Sequence, residues 1–128
     1  MRLLLDTHAL VWWLLDDPAL SKRASTALRD PANEVFVSSA SAWEIATKYR
    51  LGRMPQAEPL VRGFRRLIEA ERWVPIPVTL EHALAAGTLR AGHSDPFDRM
   101  LAAQARLEHM KLVTGDRALT ALVPSALW

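Results

Sequence analysis

Four acids define the chemistry open to this sequence. Asp6 follows three consecutive leucines, Glu44 lies within SAWEIATKYR, Asp98 within DPFDRM, and Asp116 closes LVTGD. Each stands at the end of a segment that reads as a strand, at the start of a helix, or on a helix leaving a strand. In open α/β sheets ligands bind beyond the carboxyl ends of the strands, so all four can reach one edge. Crowded carboxylates repel, and a hard cation is the ordinary means of keeping them ionised together. Oxygen donors in a chain without cysteine favour Mg²⁺ or Mn²⁺ over zinc. Such an ion commonly acts on phosphates. It polarises a phosphoryl oxygen, steadies the leaving oxygen and lowers the pKa of a water that attacks in line.

Each acid also has a plainer reading. Asp6 and Asp116 can form turns, Glu44 can decorate a helix surface, and Asp98 can be a first-turn acid that complements the helix dipole. Asp95 reads as the N-cap of the same helix, with Pro96 at the first helical position. Only the joint placement of the four favours a metal centre. His8 and His93 can touch a substrate or simply pack, whereas His82 and His109 fall in helical contexts and read as structural. No His-x₃-His pair, Gly-rich phosphate loop or G-x-S-x-G motif is present, which leaves zinc chemistry, nucleotide cradling and serine hydrolysis without support.

The elements that must position these residues alternate along the chain. Arg2–Leu5 is a short apolar run of the buried parallel type, followed by a helix through Ala9–Leu15. A second helix is expected from Ser21, as N-cap, to Arg29. EVFVSS, residues 34–39, reads as a strand, and Ser39 or Ser41 then caps a helix to about Lys48 with Glu44 near its first turn. An amphipathic helix follows Met54-Pro55. WVPIPV, residues 73–78, reads as an edge or irregular strand because of its prolines. A helix opening at Thr79 or Glu81 runs to about Leu89. The helix that begins at Pro96 and a strand over Lys111–Thr114 complete the pattern, and a last short strand fits after Pro124. This order predicts a single α/β domain over residues 1–128, with a mainly parallel central sheet flanked by helices.

At 128 residues, half of them apolar, the chain can bury a core without staples. The absence of cysteine fits a reducing cytoplasm. No apolar run approaches the ~20 residues that span a membrane, and Asp6 and His8 interrupt MRLLLDTHALVWWLL, which is read as part of the fold and not as a signal sequence. A net charge of +2 neither demands nor forbids nucleic acid. Clusters at Lys48–Arg53 and Arg62–Arg72 are solvated helix faces or candidate phosphate contacts.

Three segments, LLLDTHALVW, VSSASAWEIATKYRLGR and HSDPFDRMLAAQARLEHMKLVTGD, together resemble PIN-domain ribonucleases, and within them the VapC-type toxins of bacterial toxin–antitoxin pairs. The resemblance implies that Asp6, Glu44, Asp98 and Asp116 are the metal-binding and catalytic acids. It places Thr114 near the metal as a hydroxyl residue. Thr7 and Asp95 are further accessory positions, with the cap reading of Asp95 left standing. It also implies Mg²⁺- or Mn²⁺-dependent endonucleolytic cleavage of RNA leaving a 5′-phosphate and a 3′-hydroxyl, a cognate antitoxin that blocks the site, and a homodimer. The apolar first helix with Trp12 and Trp13 is a candidate surface for either protein contact.

Other classes stay open on the residues alone. An aspartyl phosphatase carries Asp-x-Asp after the first strand, where this chain has His8 in the second position. A phosphoreceiver needs an acceptor Asp at the end of a middle strand, and Thr79-Leu80-Glu81 supplies none. A PIN-like RNA-processing nuclease without an antitoxin, or a binding module without catalysis, remains compatible with the motifs.

Overall fold

A computed structural model describes residues 1–90 and 92–128. Strand β1 (Arg2–Leu5) leads into α1 (Thr7–Leu14), α2 (Lys22–Arg29), β2 (Glu34–Ser38) and α3 (Ser39–Arg50). A single 3₁₀ turn at Pro55–Ala57 precedes α4 (Glu58–Ala70), β3 (Val74–Ile76) and α5 (Leu80–Thr88). The chain ends with α6 (Pro96–Leu107), β4 (Lys111–Val113), α7 (Arg117–Thr120) and β5 (Ala126–Leu127). The sheet order is β3-β2-β1-β4-β5, and every neighbouring pair is parallel. WVPIPV contributes only its central residues, at the sheet edge, as its prolines require.

Side chains alternate across the sheet with a period of two. Leu3, Leu5, Val35 and Val37 pack on one face with Leu10, Leu28, Ile45, Leu60 and Ile68. Leu4, Phe36 and Leu112 pack on the other with Leu101, Ala105 and Leu119. The buried leucine run at the start is thus shared between two cores, which fixes the register of the strand that delivers Asp6.

The strand order reverses at β1. From β1 the chain moves outward through β2 to β3, then returns to place β4 on the other side of β1. The crevice between the carboxyl ends of β1 and β4 is therefore the topological switch point, where open α/β sheets bind ligands. The Asp6 amide donates to the Val113 carbonyl at 3.1 Å and keeps the two strand ends together at that point.

Local cap chemistry sets the helix starts. Ser21 caps α2 by accepting from Ala24 N–H at 3.0 Å. Asp95 caps α6 by accepting from Phe97 and Asp98 N–H, with Pro96 first in the helix and Asp98 in its first turn. Thr79 caps α5 in a capping box whose reciprocal partner is His82. The buried His82 ring accepts the Thr79 N–H at Nδ1, so its Nε2–H points to Glu108 at 2.9 Å and ties α5 to the end of α6.

Two expectations change. Ser38, not Ser39 or Ser41, caps α3, because the strand runs into the helix without a loop and Ser38 Oγ accepts from Ala40 N–H at 3.0 Å. Glu44 consequently lies in the second turn of α3 instead of the first. His109 also lies beyond α6, in the left-handed region with φ 54°, and helps end that helix. Among the described residues no helix is long and apolar enough to cross a membrane.

The cap assignment of Asp95 is testable by urea unfolding. Asp95→Ala should lower stability by about 1 kcal/mol while Asp95→Asn stays within a few tenths of wild type. Equal losses in the two variants would show that the charge, and not the cap, is what Asp95 contributes.

Candidate active site

Asp6 is held twice at the end of β1. Its Oδ1 accepts from the Ala9 N–H at 2.6 Å and caps α1, while its carboxylate also bonds the Thr114 hydroxyl at the end of β4. Thr114 Oγ1 in turn accepts the Asp116 N–H at 3.1 Å. One buried hydroxyl thus joins the two acids that follow the central strands. Asp116 caps α7 through Oδ1, accepting from Ala118 and Leu119 N–H at 2.9 and 3.4 Å. Asp6 and Asp116 line one cleft at the switch point. Asp116 itself is exposed, whereas Asp6 is only 4 % exposed.

Glu44 reaches the same region from α3 and is buried. Its Oε1 accepts the Thr7 hydroxyl at 2.6 Å, and Thr7 also meets Ser41 Oγ at 3.1 Å. Its Oε2 pairs with Lys48 Nζ at 2.5 Å, one helical turn along α3. Asp98 enters from the start of α6, half-buried, with Oδ2 bonded to His93 Nε2 at 2.8 Å. The loop carrying His93 is anchored from α6, because Arg99 donates to the His93, Ala86 and Leu89 carbonyls.

The electrostatics record how tightly these groups are gathered. Burial pushes the Asp6 carboxyl above the usual carboxylate range, opposed by the Thr114 and Ala9 hydrogen bonds and by His8, while the charge of Asp98 pushes it further up. Burial likewise raises Asp98, and Asp95 and Glu44 add to the rise against the pull of His93. Asp6 thus feels the charge of Asp98, and Asp98 that of Glu44. Among the described residues no three His, Asp or Glu side chains form a group ready to hold a metal ion. The donor chemistry nonetheless fits a hard cation, since burial and the charge of Asp98 both oppose ionisation of Asp6, and Lys48 is engaged by Glu44.

Each acid singled out in the sequence thus belongs to this edge of the sheet. Asp95 serves as a cap, and Thr7 and Thr114 act as hydroxyl partners of Glu44 and Asp6. Lys48, read as part of a basic cluster, and Ser41, read as a cap, meet Glu44 and Thr7 instead. The Glu44–Lys48 spacing of four on a helix was the signal that could have found the first, whereas Ser41 meets Thr7 only through the packing of α1 on α3. Of the basic clusters, Arg62 and Arg65 on α4 pair with Glu58 and Glu69 at 3.0 and 4.0 Å on their own helix, as a solvated face does.

A stability test follows from the raised carboxyls. In metal-free protein a group whose folded pKa lies above its unfolded value favours the fold fully below the unfolded value, and that contribution is lost as pH rises through the folded value. Asp6→Asn keeps an oxygen for the Ala9 cap and removes the charge. Its melting temperature should therefore exceed that of wild type at pH 8, and the gap should close as the pH is lowered toward the ordinary aspartate value of 3.8. A variant less stable than wild type at pH 8 would contradict this electrostatic picture.

Comparison with known proteins agrees with the geometry. The chain is 34 % identical over 116 residues to Ribonuclease VapC22 of Mycobacterium tuberculosis, covering 91 % of this chain and 88 % of that protein. Its fold is similar to that of VapBC2 from Rickettsia felis bound to a DNA fragment from its promoter, with a TM-score of 0.68 and 18 % identity over 98 % of this chain and 96 % of that one. A toxin–antitoxin complex from Klebsiella pneumoniae gives a TM-score of 0.62 and 19 % identity over 94 % of this chain and 92 % of that one. Residues 3–123 match the PIN domain, and with acids of the expected kind at the switch point of a fully parallel sheet, the chain belongs to the PIN-domain family.

Proposed function

We propose that this protein is a metal-dependent endoribonuclease that acts as the toxin of a toxin–antitoxin pair. The observation that carries this reading is the gathering of Asp6 and Asp116 in one cleft at the ends of β1 and β4, with Asp6 also feeling the charge of Asp98. Similarity to Ribonuclease VapC22 over nearly the whole chain supports RNA as the substrate, and the fold shared with toxin–antitoxin complexes supports an antitoxin partner. A homodimer and a cytoplasmic location complete the proposal.

Asp6 and Asp98 are the residues that would hold Mg²⁺ or Mn²⁺, with Asp116 beside the same cleft and Glu44 available when it exchanges its bond to Lys48. When bound, a divalent cation supplies charge neutralisation at the phosphoryl group and a lowered pKa for water. The chain's own contribution is orientation. Thr114 and the Ala9 amide fix Asp6, His93 fixes Asp98, and Thr7 fixes Glu44. Because these carboxylates are pinned by hydrogen bonds and helix starts, little reorganisation is needed when a phosphodiester is presented.

Cleavage of RNA is expected with Mg²⁺ or Mn²⁺ and should be abolished by EDTA. Asp6→Asn and Asp98→Asn should each lower the rate by about 100-fold or more, comparable to the loss of a central electrostatic group. Mg²⁺ should also raise the melting temperature of wild type and leave that of both variants nearly unchanged, since only a ligand of the native state stabilises it. An Asp6→Asn protein that cleaves as fast as wild type would overturn the assignment of the site.

A further inference from the structure

The cleft at the switch point has a lining that the acids alone do not explain. Besides Asp6 and Asp116, it is lined by His8, Trp12 and Trp128, around a volume of about 430 Å³. That volume lies within the range of about 300–1,000 Å³ typical of small-molecule clefts. The aromatic groups are packed against one another. His8 and Trp12 lie one helical turn apart on α1 with ring centroids 5.6 Å apart, and Trp12 meets Trp128 at 5.7 Å. Trp128 is brought there from the far end of the chain by β5, which pairs with β4. Its indole is seated on the backbone just before Asp116. A Cβ at Gly115 would come within 2.6 Å of the ring, so only glycine permits this approach. His8 is exposed, and Trp12 and Trp128 keep part of their surface open. The rings are therefore held in place without being fully covered, and they stand beside two acids proposed to act on a phosphodiester.

We infer that this cleft is a nucleobase subsite, in which Trp128, with Trp12 and His8, stacks an unpaired base of the RNA next to the phosphate that the acids engage. A nucleotide carries a charged group and a flat aromatic group only a sugar apart, and the cleft offers matching surfaces over the same short distance. Aromatic side chains stack bases of any identity because every base has a π-face. Bases inside a duplex have no free face, so the site selects single strands, loops and bulges over helical RNA. The inference rests on the ribonuclease reading and adds to it the residues that seat a base beside the acids.

The test uses Asp98→Asn protein, whose altered side chain lies outside the cleft, with Mg²⁺. A labelled single-stranded oligoribonucleotide and its duplex are titrated and followed by fluorescence anisotropy. The single strand should bind more tightly than the duplex. Adding Trp128→Leu, which keeps apolar bulk without a π-face, should weaken single-strand binding about tenfold, as the loss of one base–aromatic stack does. Trp128→Phe should retain binding within about threefold because it still stacks. Duplex binding should be the same in all three proteins. Equal single-strand affinity of the Leu and Phe variants would overturn the inference, as would equal affinity of the parent protein for single strand and duplex. Should either Trp128 variant fail to fold, photo-crosslinking of a strand containing 4-thiouridine to the Asp98→Asn protein decides the matter. Adducts on His8, Trp12 or Trp128 support the subsite, and their absence from all three overturns it. Failure of wild type to cleave any RNA would instead sink the ribonuclease reading, a readout separate from the binding comparison.

Discussion

Crowding of like charge beneath the surface is the constraint on which this structure turns. Asp6 is desolvated at the end of a central strand and feels the charge of Asp98, which in turn feels Glu44. Burial and the charge of a neighbouring acid both oppose ionisation of Asp6 and Asp98, against the hydrogen bonds of Thr114, Ala9 and His93. What keeps them together is covalent and topological. Three leucines locked between two cores place Asp6, a capped helix places Asp98, and a helix continuing straight from β2 places Glu44. Stability built into the sheet and the helix caps tolerates a destabilising cluster at the edge, a pattern common to functional sites.

The remaining polar groups at the edge follow from that constraint. Thr114 satisfies Asp6 with one hydroxyl and receives the Asp116 amide. Thr7 and Lys48 satisfy Glu44, and His93 satisfies Asp98. Each carboxylate is thus partly compensated by a neighbour of the fold. The compensation is uneven. Glu44 has a full ammonium partner, whereas Asp6 has only neutral donors in its direct hydrogen bonds. Asp6, bonded to neutral donors, stands at the switch point between the ends of β1 and β4.

Much of this was legible in the sequence because the governing signals are local. A leucine run ending in an acid, Ser21 before a helical segment, and Asp95-Pro96 followed by Asp98 are cap and strand chemistry that survive folding unchanged. The prolines of WVPIPV correctly placed that strand at an edge. Where the sequence misled, two elements shared a residue or a contact. Ser38 is at once the last strand residue and the helix cap, so the caps expected at Ser39 or Ser41 do not exist. The cap role of Asp6 was hidden for a similar reason, since Asp6 is the one residue between β1 and α1. The meeting of Trp12, Gly115 and Trp128 depends on β5 lying beside β4, and no spacing along the chain encodes that order.

The central claim is that the coupled acids at the β1–β4 switch point are a divalent-cation site. The most direct measurement is an anomalous diffraction map from crystals grown with Mn²⁺. A peak coordinated by Asp6 and Asp98 carboxylate oxygens, absent from crystals of Asp98→Asn, is the expected result. A map without density between those two acids, at Mn²⁺ concentrations that saturate any thermal stabilisation, would contradict it.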